Sequence, residues 1–144
     1  MGGHEVTRLL DTNVWLLGAT QPEALPGEIQ KLFDGRDAQF GLSAISLWEV
    51  GKKLQIGKLE LEKELGTWLK EAVASHIHVL PLTPEIVADA MRLQDFPNPD
   101  PADELIVATA RVHRLTLFTT DTKLKGYRHA RIEYFKPLLD KGRK

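Results

Sequence analysis

The strongest constraint on the fold is the alternation of two hydrophobic patterns along the chain. Short apolar runs typical of β-strands alternate with segments in which apolar residues recur at helical spacing. The predicted strands cover residues 6–10, 39–43, 77–82, 115–120 and 130–135. The predicted helices begin near residue 14 and then cover residues 27–35, 44–56, 60–75, 84–94 and 104–113. This order predicts an α/β fold in which helices flank a central, mostly parallel sheet of about five strands.

The composition fits one globular domain spanning residues 1–144. The chain has 144 residues, of which 42% are hydrophobic and 27% charged, and its sequence shows no internal repeat. A chain of this length buries on the order of two thirds of its unfolded surface in one core. We therefore expect a single domain.

Charge and residue usage restrict the functions that the chain can have. The formal net charge is −1, so a nucleic acid would have to bind a local basic patch rather than a general positive field. The sequence has no cysteine, which excludes disulfides, thiolate metal sites and cysteine nucleophiles. It also has no apolar stretch approaching the ~18 residues of a membrane span. We expect a cytoplasmic protein with no membrane partner.

Two aspartates stand where predicted strands end. Asp11 follows the strand at 6–10, and Asp121 follows the strand at 115–120. Parallel sheets bind ligands beyond the carboxyl ends of their strands, so neighbouring positions for these strands would place both carboxylates in one crevice. Each aspartate alone also fits a turn, because aspartate side chains hydrogen-bond the backbone of turns.

A third aspartate lies at the start of a predicted helix, on its apolar face. Asp103 shares that face with Ile106, Val107 and Ala110, which follow three, four and seven residues later. Such a face should be buried, and burial is unfavourable for a carboxylate. The structural alternative is a carboxylate that interacts with the helix dipole and contributes ~0.3 to 1 kcal/mol.

A glutamate on another predicted helix presents the same choice. Glu49 lies one turn beyond Ile45 and next to Trp48, on a face with apolar character. Lys52 and Lys53 follow three and four residues later, so the alternative is a solvated ion pair of a few tenths of a kcal/mol.

The four carboxylates together indicate a cation site, which none of them indicates alone. An α/β sheet gathers the carboxyl ends of its strands and the helices that follow them, so Asp11, Glu49, Asp103 and Asp121 are expected at one edge. Two carboxylates about 5 Å apart repel by roughly 3 kcal/mol at an effective dielectric constant near 20. Four of them require protonation or a cation, and oxygen ligands favour Mg²⁺ or Mn²⁺. A metal held in this way indicates phosphate chemistry.

Four motifs of the chain resemble those of PIN-domain ribonucleases of the VapC toxin type. They are "LLDTNVWLL", "SAISLWEVGKK" followed by "GKLEL", "DPADELIVATA" and "LFTTD", in this order over about residues 8 to 135. The resemblance implies a Rossmann-like PIN domain and a metal-dependent endoribonuclease, with Mg²⁺ or Mn²⁺ as cofactor. It assigns the catalytic and metal-binding roles to Asp11, Glu49, Asp103 and Asp121. In that family a metal-activated water attacks the RNA phosphodiester and leaves a 5′-phosphate and a 3′-hydroxyl.

Further residues receive supporting roles from the resemblance and from their position. Thr119 matches a family hydroxyl that supports the site, although threonine is also common in strands for its propensity. Substrate binding requires local cations, for which the candidates are Lys52, Lys53, Lys123 and Arg128. The structural alternative for each is a solvated surface charge. Trp15 and Trp48 could stack on bases, but core or interface packing is the commoner role of tryptophan.

The chain also departs from the family pattern. Glu104 stands where relatives usually have arginine, and Asn13 and Asn98 stand where histidine is frequent. Asp100 adds another acid nearby, which we interpret as a turn residue. These departures keep a second hypothesis open, a PIN-like interaction module with weak or lost nuclease activity. RNA cleavage that Asp11→Asn abolishes would exclude it.

The resemblance also implies macromolecular partners. These are the RNA substrate, a cognate antitoxin protein whose C-terminal segment covers the acidic pocket, and a second copy of the chain in a homodimer. The apolar helix at 61–73 could serve either protein contact.

Overall fold

The fold is built on one parallel sheet. In a computed structural model, which describes residues 5–35 and 37–138, five strands lie in the order β3-β2-β1-β4-β5 and every neighbouring pair is parallel. The strands are β1 Val6–Leu10, β2 Gln39–Ser43, β3 Ile77–Leu80, β4 Thr116–Thr119 and β5 Ile132–Tyr134. The helices are α1 Thr12–Thr20, α2 Gly27–Asp34, α3 Ala44–Gln55, α4 Leu65–Ala72, α5 Pro84–Ala90 and α6 Pro101–His113. The predicted α/β fold is confirmed.

Side-chain caps set the starts of most helices. In each case a side-chain oxygen accepts a hydrogen bond from a backbone N–H in the first turn, which satisfies a donor without an intrahelical partner. The capping residues are Asp11 for α1, Ser43 for α3, Glu64 for α4, Thr83 for α5 and Asp100 for α6. Because Asp11 and Ser43 directly follow strands or end them, α1 and α3 start at the carboxyl edge of the sheet.

Two predicted helix starts were wrong. Helix α4 begins at Leu65 rather than residue 60, because the carboxylate of Glu64 caps it by accepting from the backbone N–H of Thr67. Helix α6 begins at Pro101, inside the segment 95–103 that was predicted to be a loop. Proline is tolerated at the first helical position, where its missing N–H costs nothing, and Asp100 supplies the cap.

Three predicted strands are shorter than the sequence suggested, and β4 covers Thr116–Thr119 of the predicted 115–120. Strand β3 ends at Leu80, directly before Pro81, since proline cannot donate to a sheet ladder. Strand β5 covers only Ile132–Tyr134 of the predicted 130–135.

Helices cover both faces of the sheet. Leu10 belongs to one buried cluster and Leu9 to another, as the alternation of side chains along a strand requires. On the Leu10 side of the sheet Trp15 is buried, and its indole N–H donates to the carbonyl of Ala72 at 3.0 Å. Its ring packs edge-on against that of Trp68, with 5.5 Å between the ring centres. Trp15 therefore has the core role that was the commoner expectation for a tryptophan.

The register aligns the carboxyl end of the central strand β1 with those of its neighbours β2 and β4. Leu10 lies opposite Leu42 of β2 and Phe118 of β4, and the N–H of Asp11 donates to the carbonyl of Phe118 at 2.9 Å. Asp11 and Thr119 consequently leave the sheet side by side. Among the helices of the described residues, none has the length and apolarity needed to cross a bilayer.

Candidate metal centre

Asp11 lies buried at the carboxyl end of β1. Its side chain is 7% exposed, and both of its oxygens accept hydrogen bonds. One accepts from the backbone N–H of Thr12 at 2.9 Å, and the other accepts from the hydroxyl of Thr119 at 2.6 Å. Burial nevertheless raises the pKa of this carboxyl above its ordinary value, and the charge of Asp121 adds to the rise.

Thr119 connects Asp11 with Asp121. Its hydroxyl is fully buried, donates to Asp11 and accepts from the backbone N–H of Asp121 at 3.0 Å. The carboxylate of Asp121 in turn accepts from the backbone N–H of Lys123 at 2.9 Å. The ends of β1 and β4 thus bring the two aspartates together, as neighbouring strands in the predicted sheet should.

Glu49 reaches the same edge from α3. The hydroxyl of Thr12 donates to its carboxylate, and the Ser46 hydroxyl lies 2.7 Å from that of Thr12. The single Thr12 proton is used on Glu49, so Ser46 donates to Thr12. Burial raises the pKa of Glu49, helped by the charges of Asp11 and Asp100. Neither Thr12 nor Ser46 was singled out from the sequence, although Thr12 follows Asp11 directly.

Asp103 has the most perturbed carboxyl of the group. Burial, followed by the negative charges of Asp11, Asp100 and Glu49, raises its pKa to about 7. The amide of Asn98 donates hydrogen bonds to Asp103 and, at 3.3 Å, to Asp121. The face of α6 that follows Asp103 is buried, as the spacing of its apolar residues predicted.

Asp100 is a fifth carboxylate of the site, beyond the turn role given to it from the sequence. It caps α6, and one oxygen each of Asp100, Glu49 and Asp103 lie within 4.8 Å of one another. The signal was its spacing, since residues three apart at a helix start lie on one side. We call Asp11, Glu49, Asp100, Asp103 and Asp121 the acidic cluster.

The acidic cluster has the donor chemistry of a hard divalent cation. All of its ligand atoms are carboxylate oxygens, and the three closest span no more than 4.8 Å. Octahedral coordination at about 2.0 to 2.1 Å places opposite oxygens roughly 4.2 Å apart, so only small movements would let these oxygens share an ion. The residues present therefore fit Mg²⁺ or Mn²⁺.

The predicted substrate cations occupy different surroundings. Burial raises the pKa of Asp11 and of Glu49, and Lys53 lies close enough for its positive charge to offset part of that rise. Lys52 instead donates to Gln55 at 2.7 Å and lies 5.7 Å from the ring centre of Trp48, which is 57% exposed. The side chains of Lys123 and Arg128 are exposed, and within the described part of the chain neither contacts a cluster carboxylate.

The three departures from the family pattern lie near the cluster in different ways. Asn13 is exposed and its amide donates to the hydroxyl of Thr120 at 2.9 Å. Glu104 is partly buried in the first turn of α6. Asn98 is buried and contacts two cluster carboxylates directly.

Comparison with known proteins identifies the family and the fold of the chain. The PIN domain family matches residues 8–130. The chain is 32% identical over 126 residues to "Ribonuclease VapC22" of Mycobacterium tuberculosis, which covers 87% of this chain and 95% of the relative. The fold is shared with VapBC2 from Rickettsia felis, solved with a promoter DNA fragment, at a TM-score of 0.68 and 18% identity over 90% of this chain and 98% of that one. It is also shared with a toxin-antitoxin complex from Klebsiella pneumoniae, at a TM-score of 0.64 and 21% identity over 90% and 99% of the two chains. With its parallel sheet and acidic edge, the chain belongs to the PIN domain family.

Proposed function

We propose that this protein is a metal-dependent endoribonuclease that acts as the toxin of a toxin–antitoxin pair. The observation that carries the proposal is the acidic cluster, in which elements distant in sequence bring oxygen ligands to the carboxyl edge of the sheet. Family membership supports it, as does the relative named a ribonuclease.

Within this proposal the cluster carboxylates are the metal ligands, and two threonine hydroxyls hold them in place. Asp11, Glu49, Asp103 and Asp121 would hold Mg²⁺ or Mn²⁺, and Asp100 would join Glu49 and Asp103. Such an ion polarises a phosphoryl oxygen and lowers the pKa of water. The hydroxyl of Thr119 holds Asp11, and that of Thr12 holds Glu49, so both carboxylates are oriented before any ligand arrives.

RNA must be attracted to an edge that is itself strongly negative. Lys53, the cation nearest to Asp11 and Glu49, is the substrate-binding residue that the geometry supports best. Lys52 with Trp48, and further out Lys123 and Arg128, supply exposed positive charge and one exposed ring on which a base can stack. The phosphates would therefore approach over α3.

The test is cleavage of a structured-RNA panel by the purified protein with Mg²⁺, Mn²⁺ or EDTA. We expect 5′-phosphate products with either metal, and loss of cleavage with EDTA and in Asp11→Asn. Asp34→Asn, which changes an exposed aspartate at the end of α2, serves as the matched control. Cleavage that survives in Asp11→Asn would contradict the proposal. A folded protein that cleaves nothing would favour the PIN-like interaction module.

An antitoxin is the partner we propose, because the solved neighbours include toxin–antitoxin complexes. A cleft of about 570 Å³ offers it a surface between α1 and α4, with Trp15 and Trp68 in its lining. Three glutamates, Glu60, Glu62 and Glu71, line this cleft with one lysine, Lys63, which pairs with Glu71. The net negative charge favours a partner segment with basic and apolar side chains.

The partner proposal can be tested by charge reversal. The double change Glu60→Lys and Glu62→Lys should weaken binding of the protein encoded beside this chain, measured by calorimetry after co-expression. Unchanged affinity would remove the cleft from the proposal. Light scattering of the purified chain tests the homodimer, which a monomer at micromolar concentration would contradict.

A further inference from the structure

Asn98 is the buried polar residue of the site whose role the family pattern does not supply. It lies in the segment before α6 and is 7% exposed. Its amide nitrogen donates to Asp103, on the first turn of α6, and to Asp121, beyond the end of β4. One side chain thus spans two carboxylates that belong to different elements.

The orientation of the Asn98 amide is determined by its neighbours. Its carbonyl oxygen accepts from the backbone N–H of Asp100 at 3.0 Å. The reverse orientation would place the amide N–H groups against the backbone N–H of Asp100, so that two donors faced each other. Pro97 and Pro99 flank the residue and fix their own backbone φ angles, which limits how far the side chain can move.

An amide nitrogen has two hydrogens, so it can serve two carboxylates at once. Each bond is strongest when the carboxylate that accepts it is ionised, since a charged acceptor strengthens a hydrogen bond relative to one between neutral groups. The amide carries no charge of its own. It therefore reduces the repulsion between Asp103 and Asp121 without adding a positive charge that would compete with a cation.

We propose that Asn98 is a positioning residue of the metal centre, which holds Asp103 and Asp121 in the arrangement that binds the ion. This inference rests on the proposed metal-dependent function. Asp103 is the carboxylate that gains most, because Asn98 is its one hydrogen-bond donor within the described residues, whereas Asp121 also accepts from the backbone N–H of Lys123. Without Asn98, Asp103 and Asp121 would separate, and metal binding would have to restore their positions at the expense of affinity.

The role predicts an effect on metal affinity that a merely structural residue would not have. Asn98→Leu keeps nearly the same shape but removes both donors, and Asn98→Ala removes the side chain with less risk of a clash. Both variants should bind Mn²⁺ about 10- to 100-fold more weakly than the wild type, as is typical when a partner of a metal ligand is removed. Asn13→Leu and Asn13→Ala are matched controls, because Asn13 contacts the hydroxyl of Thr120 rather than a carboxylate.

The measurement is calorimetric titration of metal-free protein with Mn²⁺, together with its Tm in EDTA. Weaker Mn²⁺ binding in both Asn98 variants, with wild-type affinity in the Asn13 variants, is the expected result. An altered Tm with unchanged Mn²⁺ affinity would make Asn98 structural and overturn the inference while leaving the proposed function intact. A wild-type protein that binds no Mn²⁺ would overturn the metal-dependent function and the positioning role together.

Discussion

Two acidic regions of this molecule have similar numbers of carboxylates and differ in burial. The acidic cluster is largely buried or half-buried, whereas the surface around α4 exposes Glu60, Glu62, Glu64 and Glu71. In the acidic cluster, burial raises the pKa of Asp103 to about 7. On the surface around α4, the pKa of Glu64 is lowered, because the backbone N–H groups of Gly66 and Thr67 donate to its ionised form. Glu71 in the same region pairs with Lys63, and about half of each side chain is exposed to water. The number of carboxylates in a region therefore does not identify a functional site. Burial that hydrogen-bond donors do not fully offset perturbs the pKa values of carboxyls, and such values mark a candidate site.

Neutralising one glutamate in each region gives the largest expected contrast. Glu49→Gln should lower the rate of Mn²⁺-dependent RNA cleavage by about 100-fold or more, which corresponds to ~2.7 kcal/mol of lost transition-state stabilisation. Glu62→Gln changes an exposed glutamate and should leave the rate within a factor of two. Initial rates at saturating RNA, with circular dichroism to verify folding, check both variants. Equal losses in the two variants would remove the distinction between the regions.

Removing a hydroxyl that contacts a carboxylate is the next test. Thr119→Val keeps the shape but leaves Asp11 without one donor and the N–H of Asp121 without its acceptor. Unfolding free energy should fall by about 1 to 3 kcal/mol, because buried polar groups lose their partners. Thr67→Val removes a surface contact to Glu64 at 3.3 Å and should change stability by less than ~0.5 kcal/mol. Urea denaturation measures the unfolding free energy of both variants. A similar loss in each would contradict the expectation that the buried contact stabilises the fold more than the surface contact.

Sequence patterns predicted the parts of the site that depend on strand order. Asp11 and Asp121 were expected together because they follow parallel strands, and the sheet makes β1 and β4 neighbours. The sequence could not show that Asn98 contacts Asp121, because that contact depends on the backbone path of a segment without periodicity. The sequence also did not show that Asp100 lies beside Glu49 and Asp103, because helix α6 begins earlier than its apolar pattern indicates.

The opposite pKa shifts of Asp103 and Glu64 predict different pH dependence. The folded, metal-free protein keeps a proton on Asp103 up to about pH 7, whereas the unfolded chain releases it near 3.8. The folded state therefore binds the extra proton in this window, and its stability falls as pH rises through it. Glu64 has a lowered pKa, so its contribution is present above its ordinary value of 4.5 and is lost at lower pH.

Thermal unfolding in EDTA checks this dependence. The Tm of the wild type should fall by on the order of 5 °C between pH 5.5 and pH 8, and Asp103→Asn should reduce that fall. Mn²⁺ should reverse the fall at pH 8, because an ionised Asp103 is the form that binds a cation. A Tm that rises over the same pH range in both proteins would show that Asp103 has an ordinary pKa.

The smallest expected effect is that of breaking the surface ion pair near α4, for which the shielded ion pair between α5 and α6 is the control. Lys63 and Glu71 are 52% and 56% exposed, so Lys63→Met should change the unfolding free energy by less than ~0.5 kcal/mol. The pair between Asp89 and Arg111 joins α5 to α6 through two bonds of 2.8 and 3.0 Å and is mostly shielded from water. Arg111→Met leaves Asp89 without these bonds and should cost about 1 to 3 kcal/mol, measured by urea denaturation. If Lys63→Met costs as much, solvent does not screen the surface region, and burial alone cannot explain why, within the described residues, the carboxyls with raised pKa values lie at the sheet edge.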